Sequence, residues 1–192
     1  MSRLAVITGA SRGLGFALAN LLARRGWHLV ITGRRPDALE GARQRLSGWT
    51  QVTAVPGDVT DPAHRAELAT TIQTLGPLHA LVNNAAILGP SPRPPLLALD
   101  WLKLERLLRV NTVAPLALLQ VLSPHMVPGG CILNVSSDAA PEAFAGWGGV
   151  RSDEGSPRPP DGDAGPGTSR MAGLFGRPGR HADGPVPGVL PG

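Results

Sequence analysis

Residues 8–15 read Thr-Gly-Ala-Ser-Arg-Gly-Leu-Gly and separate an apolar run from a stretch with helical periodicity. The apolar run, Leu4–Thr8, has the length and composition of a buried strand. From Gly13 to Arg25, apolar side chains fall on one helical face. Glycines allow a tight turn and a close approach of the backbone to a ligand, and the free N–H groups at a helix N-terminus attract phosphate. The stretch therefore predicts a strand–turn–helix unit that binds a phosphate group, with an ordinary glycine turn as the alternative.

Apolar runs and amphipathic stretches alternate from this unit to residue 135. The predicted strands are Leu4–Thr8, His28–Thr32, Gln51–Val55, Leu78–Val82 and Cys131–Val135. The predicted helices are Gly13–Arg25, Pro36–Leu46, one that Asp61 caps and Pro62 opens, and Leu99–Leu122. Strands that alternate with helices predict an α/β fold, in which a parallel sheet carries helices on both faces.

The charge pattern argues against a nucleic-acid partner. Residues 1–150 carry 13 Lys and Arg against 9 Asp and Glu, and residues 151–192 carry five of each. The basic residues are scattered rather than gathered into a stripe that could neutralise a phosphate backbone. There is no charged-then-apolar leader, and the uninterrupted apolar runs are far shorter than the roughly 20 residues of a membrane span. We therefore expect a cytoplasmic protein without a membrane segment.

One cysteine, Cys131, excludes an intramolecular disulfide and a multi-cysteine metal site. Its apolar neighbours predict a buried structural thiol. The C-terminal part has a different composition, since 18 of the 42 residues from 151 to 192 are Gly or Pro. Such a segment buries too little apolar surface to offset the entropy of ordering its backbone. The sequence thus predicts a nucleotide-binding domain over residues 1–149 and a disordered tail over residues 150–192.

Five motifs, in this order, resemble those of the short-chain dehydrogenase/reductase family. They are the turn Thr8–Gly15, the pair Asp58-Val59, the run Asn83-Asn84-Ala85-Ala86, Asn111, and the strand end Asn134–Ser137. The third motif departs from the family's N-N-A-G in its last residue, which is Ala86 here. The resemblance implies a Rossmann-like, doubly wound parallel sheet of strand order 3-2-1-4-5, which this chain would contain in truncated form.

The resemblance also implies roles for individual residues. Its cofactor-binding residues would be Gly9, Ser11, Arg12, Gly13, Leu14, Gly15, Asp58, Val59, Asn83, Asn84 and Ala85. In the family, the serine that corresponds to Ser137 holds the substrate oxygen, and the asparagine that corresponds to Asn111 supports a proton relay. The reaction is hydride transfer between a nicotinamide cofactor and a small carbonyl or alcohol substrate.

The end of the second predicted strand indicates which nicotinamide cofactor is preferred. An acidic residue there would bind the ribose of NAD and repel an added phosphate. The chain has Gly33 instead, followed by Arg34 and Arg35, and the guanidinium groups of arginines suit a 2′-phosphate. Arg12 in the glycine turn could add a contact. We therefore expect NADP(H), with two solvated arginines at a strand end as the alternative.

The family's catalytic tyrosine and lysine are missing. Thirteen residues after Ser137 stands Val150, and four residues later, where the lysine should be, stands Glu154. The chain has no tyrosine, and its single lysine is Lys103 in the predicted long helix. A phenol with a pKa near 10 is a poor base at neutral pH unless a nearby cation favours its anion. We expect this chain to be catalytically inactive.

A one-base shift of the reading frame after Gly149 accounts for the loss. With suitable third bases, residues 150–160 can then read YGPTKAALDHL, and residues 176–184 can read VDPGDMRTD. Both resemble family motifs, the tyrosine–lysine pair and the Pro-Gly loop that closes over the cofactor. The alternatives are a natural pseudoenzyme with a disordered tail, a fragment that binds NADP(H) without turnover, and a misfolded product. An intact relative is expected to form a homo-oligomer through the long helix, whereas this chain is doubtful as a subunit.

Overall fold

The computed structural model describes residues 2–91 and 94–136. Ser137 and the predicted tail lie outside the described residues. The strands are β1 Leu4–Thr8, β2 His28–Gly33, β3 Val52–Pro56, β4 Leu78–Asn83 and β5 Met126–Asn134. The α-helices are α1 Gly13–Arg24, α2 Pro36–Ser47, α3 Pro62–Leu75, α4 Trp101–Leu108 and α5 Ala114–Leu122. All strand pairs are parallel, and the sheet has the order β3-β2-β1-β4-β5. The predicted fold class is confirmed.

Strand β1 lies at the centre of the sheet and is buried along its whole length. Successive side chains of a strand point to opposite faces. Ala5 and Ile7 accordingly join a core cluster with α1 and α2, while Leu4 and Val6 join a second cluster with α3 and α5. A sheet buried on both faces explains why the strands appear in the sequence as continuous apolar runs.

The helix that Asp61 was expected to cap begins as predicted. The Asp61 carboxylate accepts a hydrogen bond of 2.9 Å from the Ala63 N–H, and Pro62 opens α3. Such a cap satisfies one of the N–H groups that have no partner within the helix.

The long helix predicted over residues 99–122 begins later than expected and is not uniformly α-helical. Asp100 precedes its first residue and accepts a hydrogen bond of 3.1 Å from the Lys103 N–H, which fixes the start. Residues Arg109–Val113 form a π-helical turn between α4 and α5. Pro115 explains the wide turn, because it has no N–H for the carbonyl four residues back, that of Asn111.

Together these segments make one helix, Trp101–His125, that is long and apolar enough to cross a membrane by length and composition alone. The sequence-based expectation, which considered only uninterrupted apolar runs, did not identify it. The helix packs Leu107, Ala114, Leu118 and Leu122 into the interior of the domain. A core helix of a soluble domain passes the same test of length and composition.

The edge strand β5 differs from prediction in two respects. It begins at Met126 rather than Cys131, because the Pro-Gly-Gly run that resembles a turn lies inside a register shift of the β4–β5 pair. Gly129, at φ 77°, accommodates this irregularity. The prediction of a buried thiol is wrong: Cys131 is exposed, since the described part of the sheet places no strand beyond β5.

A buried histidine in α3, His64, is expected to make the stability of the fold depend on pH. Burial lowers the pKa of His64 against the opposing effect of the Glu67, Asp61 and Asp58 carboxylates. The unfolded chain, with a histidine pKa of about 6.5, therefore binds more protons than the folded one below neutral pH. The contribution of His64 to stability is present above about pH 6.5 and is lost as the pH falls.

We expect the free energy of unfolding to decrease between pH 7 and pH 5, and to decrease less in His64→Gln, whose side chain does not titrate. Urea denaturation at several pH values measures this difference. Equal pH dependence in both proteins would contradict the assignment.

Candidate functional site

The glycine turn lies between β1 and α1, as predicted. Gly9 and Gly13 adopt φ values of 65° and 58°, which disfavour a side chain. Helix α1 begins at Gly13, so its free N–H groups and the positive end of its dipole face the turn. The Ala10 N–H donates to the Thr32 carbonyl over 3.2 Å, which fastens the turn to the end of β2.

Residues after β4 hold the glycine turn by hydrogen bonds on the side away from β2. The amide group of Asn84 donates to the carbonyls of Thr8 and Gly9 over 2.9 and 3.2 Å. The buried Thr8 hydroxyl accepts the N–H groups of Asn84 and Ala85, both at 2.9 Å, and donates to the Val82 carbonyl. These hydrogen bonds fix the conformation of the turn.

A cavity of about 550 Å³ opens above the turn at the carboxyl ends of the strands. It lies where the strand order reverses, between β1 and β4, the usual ligand position in a sheet of this kind. The predicted residues that line it are Gly9, Ser11, Arg12, Gly13, Leu14, Arg34, Arg35, Asp58, Val59, Asn84 and Ala85. Two predicted residues do not line it. Gly15 lies behind the turn against Asn84, and Asn83 lines a neighbouring pocket.

The charges around the cavity are mainly positive. Arg12, Arg34 and Arg35 line it, and Asp58 is the one acidic residue among its described lining residues. Burial acts to raise the pKa of Asp58, but hydrogen bonds from the Thr60 N–H and hydroxyl and the charges of nearby arginines lower it more. Asp58 is therefore ionised near neutral pH. Both Thr60 bonds end on Oδ1 rather than on Oδ2.

A second pocket of about 310 Å³ lies between β4, β5 and the π-helical turn. Asn111 lines it, and its side chain accepts from the Ile87 N–H and donates to the Ile87 carbonyl, both at 2.9 Å. These bonds hold the long helix against the segment after β4. Asn83 donates to the Asn134 side chain over 2.8 Å, while its own buried Oδ1 has no hydrogen-bond partner within residues 2–91 and 94–136.

Ser136, two residues after the end of β5, lines the same second pocket as Asn111. The predicted catalytic residue Ser137 follows directly but lies outside the described residues. The proposed catalytic roles of Ser137 and Asn111 therefore stay predictions.

Sequence reasoning did not identify every residue of the first cavity. Gly57, Ala86, Ile87, Leu88 and Val110 also line it. Gly57 carried a usable signal, since it directly precedes Asp58 after a predicted strand. Ala86 belongs to the third motif, whereas Ile87, Leu88 and Val110 carried no signal, because only tertiary packing brings them to the cavity.

Relatives with assigned names match most of the described chain. A dehydrogenase of Streptomyces avermitilis named for 1-deoxy-11-beta-hydroxypentalenate is 35% identical over 150 residues, covering 77% of this chain and 55% of that protein. Gluconate 5-dehydrogenase of Gluconobacter oxydans is 36% identical, covering 69% and 52%. The short chain dehydrogenase/reductase dpmpG of Macrophomina phaseolina is 35% identical, covering 78% and 87%. The chain spans about half the length of the first two.

Solved structures agree in fold. The KRED1-Pglu enzyme superposes with a TM-score of 0.72 at 31% identity, covering 80% of this chain and 64% of that one. L-Sorbose reductase from Gluconobacter frateurii, solved in complex with NADPH and L-sorbose, gives a TM-score of 0.74 at 26% identity, covering 80% and 59%. The family model described as short chain dehydrogenase matches residues 3–149. The strand order, the glycine turn and these matches together show that the chain belongs to the short-chain dehydrogenase family of oxidoreductases.

Proposed function

We propose that the chain is the nucleotide-binding part of an NADP(H)-dependent oxidoreductase that interconverts a carbonyl and an alcohol. The observation that carries the proposal is the cavity of about 550 Å³ above the glycine turn, with Arg34 and Arg35 on its wall. No acidic residue stands at the end of β2, where Gly33 lies instead. The volume is within the range of cofactor and ligand pockets.

The packing around the glycine turn supports a dinucleotide as the ligand. A Cβ on Gly9 would come within 3.0 Å of the Ala85 Cα, and a Cβ on Gly33 would lie 3.6 Å from the Ser11 hydroxyl. Gly9 therefore lets the turn lie directly against the backbone after β4, and Gly33 packs at ordinary contact distance beside Ser11 on the cavity wall. The turn and the N-terminus of α1 would hold the diphosphate, and Asp58 and Val59 would border the adenine. When bound, the nicotinamide supplies or accepts the hydride.

The arginines on the cavity wall would set the cofactor preference. Charge-assisted hydrogen bonds contribute about 1.5–3 kcal/mol each, and a carboxylate in their place would repel the 2′-phosphate. We expect Arg34→Asp to weaken NADPH binding by about 10- to 100-fold and to leave NADH binding nearly unchanged. Fluorescence titration of both nucleotides measures the two affinities.

Arg25→Asp is the matched control, because Arg25 is exposed at the opposite end of α1. It makes the same change of charge away from the cavity. Equal affinity of the unaltered chain for NADPH and NADH, or no loss in Arg34→Asp, would end the proposed preference.

A second candidate function is binding of NADP(H) without turnover. The sequence favours it, because the chain has no tyrosine to transfer the proton and Lys103, its single lysine, lies in α4. We expect the fluorescence of NADPH to increase on binding while its absorbance stays constant in the presence of carbonyl compounds. NADPH-dependent carbonyl reduction by the purified chain would contradict this expectation.

We further propose that the reading frame shifts after Gly149. The end of the family match at residue 149 supports this, as do the two family-like motifs in the shifted frame. Resequencing the DNA for Trp147–Gly149 tests it, and an unambiguous read that encodes the present protein, repeated in close relatives, would refute it. The repaired protein would be a cytoplasmic homo-oligomer acting on a small carbonyl or alcohol, and a panel of such compounds would identify the substrate class.

A further inference from the structure

His64 occupies a position that links two walls of the cavity. It projects from α3 into the interior and is 4% exposed. Its Nε2 forms a hydrogen bond of 2.7 Å with the hydroxyl of Thr32, which is also buried, near the end of β2. Arg34 and Arg35 come directly after Gly33, the last residue of this strand. The contact of His64 with Thr32 therefore acts on the strand that carries the proposed 2′-phosphate site.

The same imidazole also supports the end of β3. A Cβ on Gly57 would collide with the Nδ1 and Cγ atoms of His64 and lie 2.7 Å from its Cε1. The ring therefore lies directly against the backbone of Gly57, the residue before Asp58. Close packing of this kind transmits a displacement of the ring to the backbone beside it. His64 thus also acts on the wall that would border the adenine.

Thr32 joins these contacts to the glycine turn. Its carbonyl accepts the Ala10 N–H, and the Gly57 N–H donates to the carbonyl of the next residue, Gly33, over 3.1 Å. The glycine turn, the end of β2 and the end of β3 are therefore held by one connected set of bonds. His64 is the member of this set that a helix, α3, contributes.

The imidazole of His64 destabilises the fold in a way that an apolar side chain of similar size would not. Its buried Nδ1 has no hydrogen-bond partner among the described residues, and the Glu67 carboxylate is 4.0 Å away. A buried polar atom without a partner destabilises the fold. An apolar side chain of similar size would remove this cost but could not bond to Thr32.

We propose that His64 is a positioning residue that sets the spacing of the ends of β2 and β3, and thereby the fit of the adenosine half of the cofactor. The inference rests on the proposed dinucleotide function. A ligand that spans both strand ends depends on this spacing, whereas a ligand held by the glycine turn alone does not.

The test compares two probes on the full chain. Adenosine 2′,5′-bisphosphate spans both strand ends, and inorganic pyrophosphate occupies only the turn. The amide of Gln reaches the position of the histidine Nε2, while that of Asn reaches only the position of Nδ1. We expect His64→Asn to weaken adenosine 2′,5′-bisphosphate binding by about tenfold or more. The affinity of His64→Gln for this probe should stay within about threefold of that of the unaltered chain. Pyrophosphate binding should change little in either variant. Isothermal titration calorimetry measures these affinities.

Thr32→Val supplies a second test that leaves His64 in place and changes the volume little. It removes the hydroxyl partner, so we expect the same selective loss. Unchanged affinity for adenosine 2′,5′-bisphosphate in Thr32→Val or in folded His64→Asn overturns the inference, as does an equal loss for both probes. Failure of the unaltered chain to bind either probe overturns the proposed function itself, and that result is distinguishable because it appears before any substitution is made.

Discussion

Gly15→Ala is expected to abolish tight binding of NADPH. A Cβ on Gly15 would collide with the Asn84 Nδ2 and lie 2.5 Å from the Gly9 carbonyl oxygen. Neither atom can move freely, because Asn84 donates to the carbonyls of Thr8 and Gly9 at 2.9 and 3.2 Å. Overpacking costs about 1–3 kcal/mol, and each lost hydrogen bond adds about 1 kcal/mol. The altered chain relieves this strain by moving the turn, and binding has to restore the original turn at a cost of about 3 kcal/mol, which corresponds to a loss of affinity of about 100-fold. A fluorescence titration measures this loss.

Gly41→Ala is the matched control for this substitution. Gly41 lies inside α2, and a Cβ there would meet no atom within 4 Å. Alanine is the better helix former by about 0.5–1 kcal/mol, so the control should be slightly more stable and bind NADPH normally. If Gly15→Ala binds NADPH as well as this control, the contact between the turn and Asn84 is not what shapes the cradle.

Thr8→Val is expected to lower the free energy of unfolding by about 2–4 kcal/mol. The substitution keeps the volume of the side chain but removes the hydroxyl that accepts the N–H groups of Asn84 and Ala85. Thr8 is 1% exposed, so water does not readily replace it. Each buried donor left without a partner costs about 1–3 kcal/mol, a large part of the 5–15 kcal/mol by which a typical domain is stable. Urea denaturation measures the change.

Thr8→Ser distinguishes the contribution of the hydroxyl to stability from that of the methyl group. It keeps the acceptor and loses one methyl, so most of the stability should return. If Ser and Val destabilise the chain equally, packing of the methyl rather than the hydrogen bonds joins β1 to the segment after β4.

Gly15→Ala and Thr8→Val both disturb the contacts between the glycine turn and the segment after β4. Thr8 and Asn84 connect the turn between β1 and α1 to the segment after β4, and Asn111 fastens the long helix to the same segment through Ile87. The cavity therefore depends on three parts of the chain that are far apart in sequence. This connection explains why a change behind the turn, at Gly15, is expected to affect a ligand in front of it.

Local sequence signals were sufficient for most of the fold. The apolar run Leu4–Thr8, the glycines that follow and the periodicity of α1 predicted the first strand–turn–helix unit, and Asp61 with Pro62 predicted the start of α3. These signals are local because backbone conformation at a glycine, a proline or a cap is set by neighbouring residues. The start of the long helix was missed although its cap, Asp100, is a local signal of the same kind as Asp61. The start of β5 was missed because Pro-Gly-Gly resembles a turn.

The sequence by itself determined the fold class, the glycine turn and the absence of a tyrosine and of a second lysine. Only the tertiary structure decided that Thr8 and Asn84 lock the turn, that Cys131 is exposed at the sheet edge, and that His64 lies against Gly57. Such features depend on which distant segments pack together, and a pattern along one segment carries no information about its partner across the sheet. Burial and hydrogen bonding between remote residues therefore had to come from the packed domain.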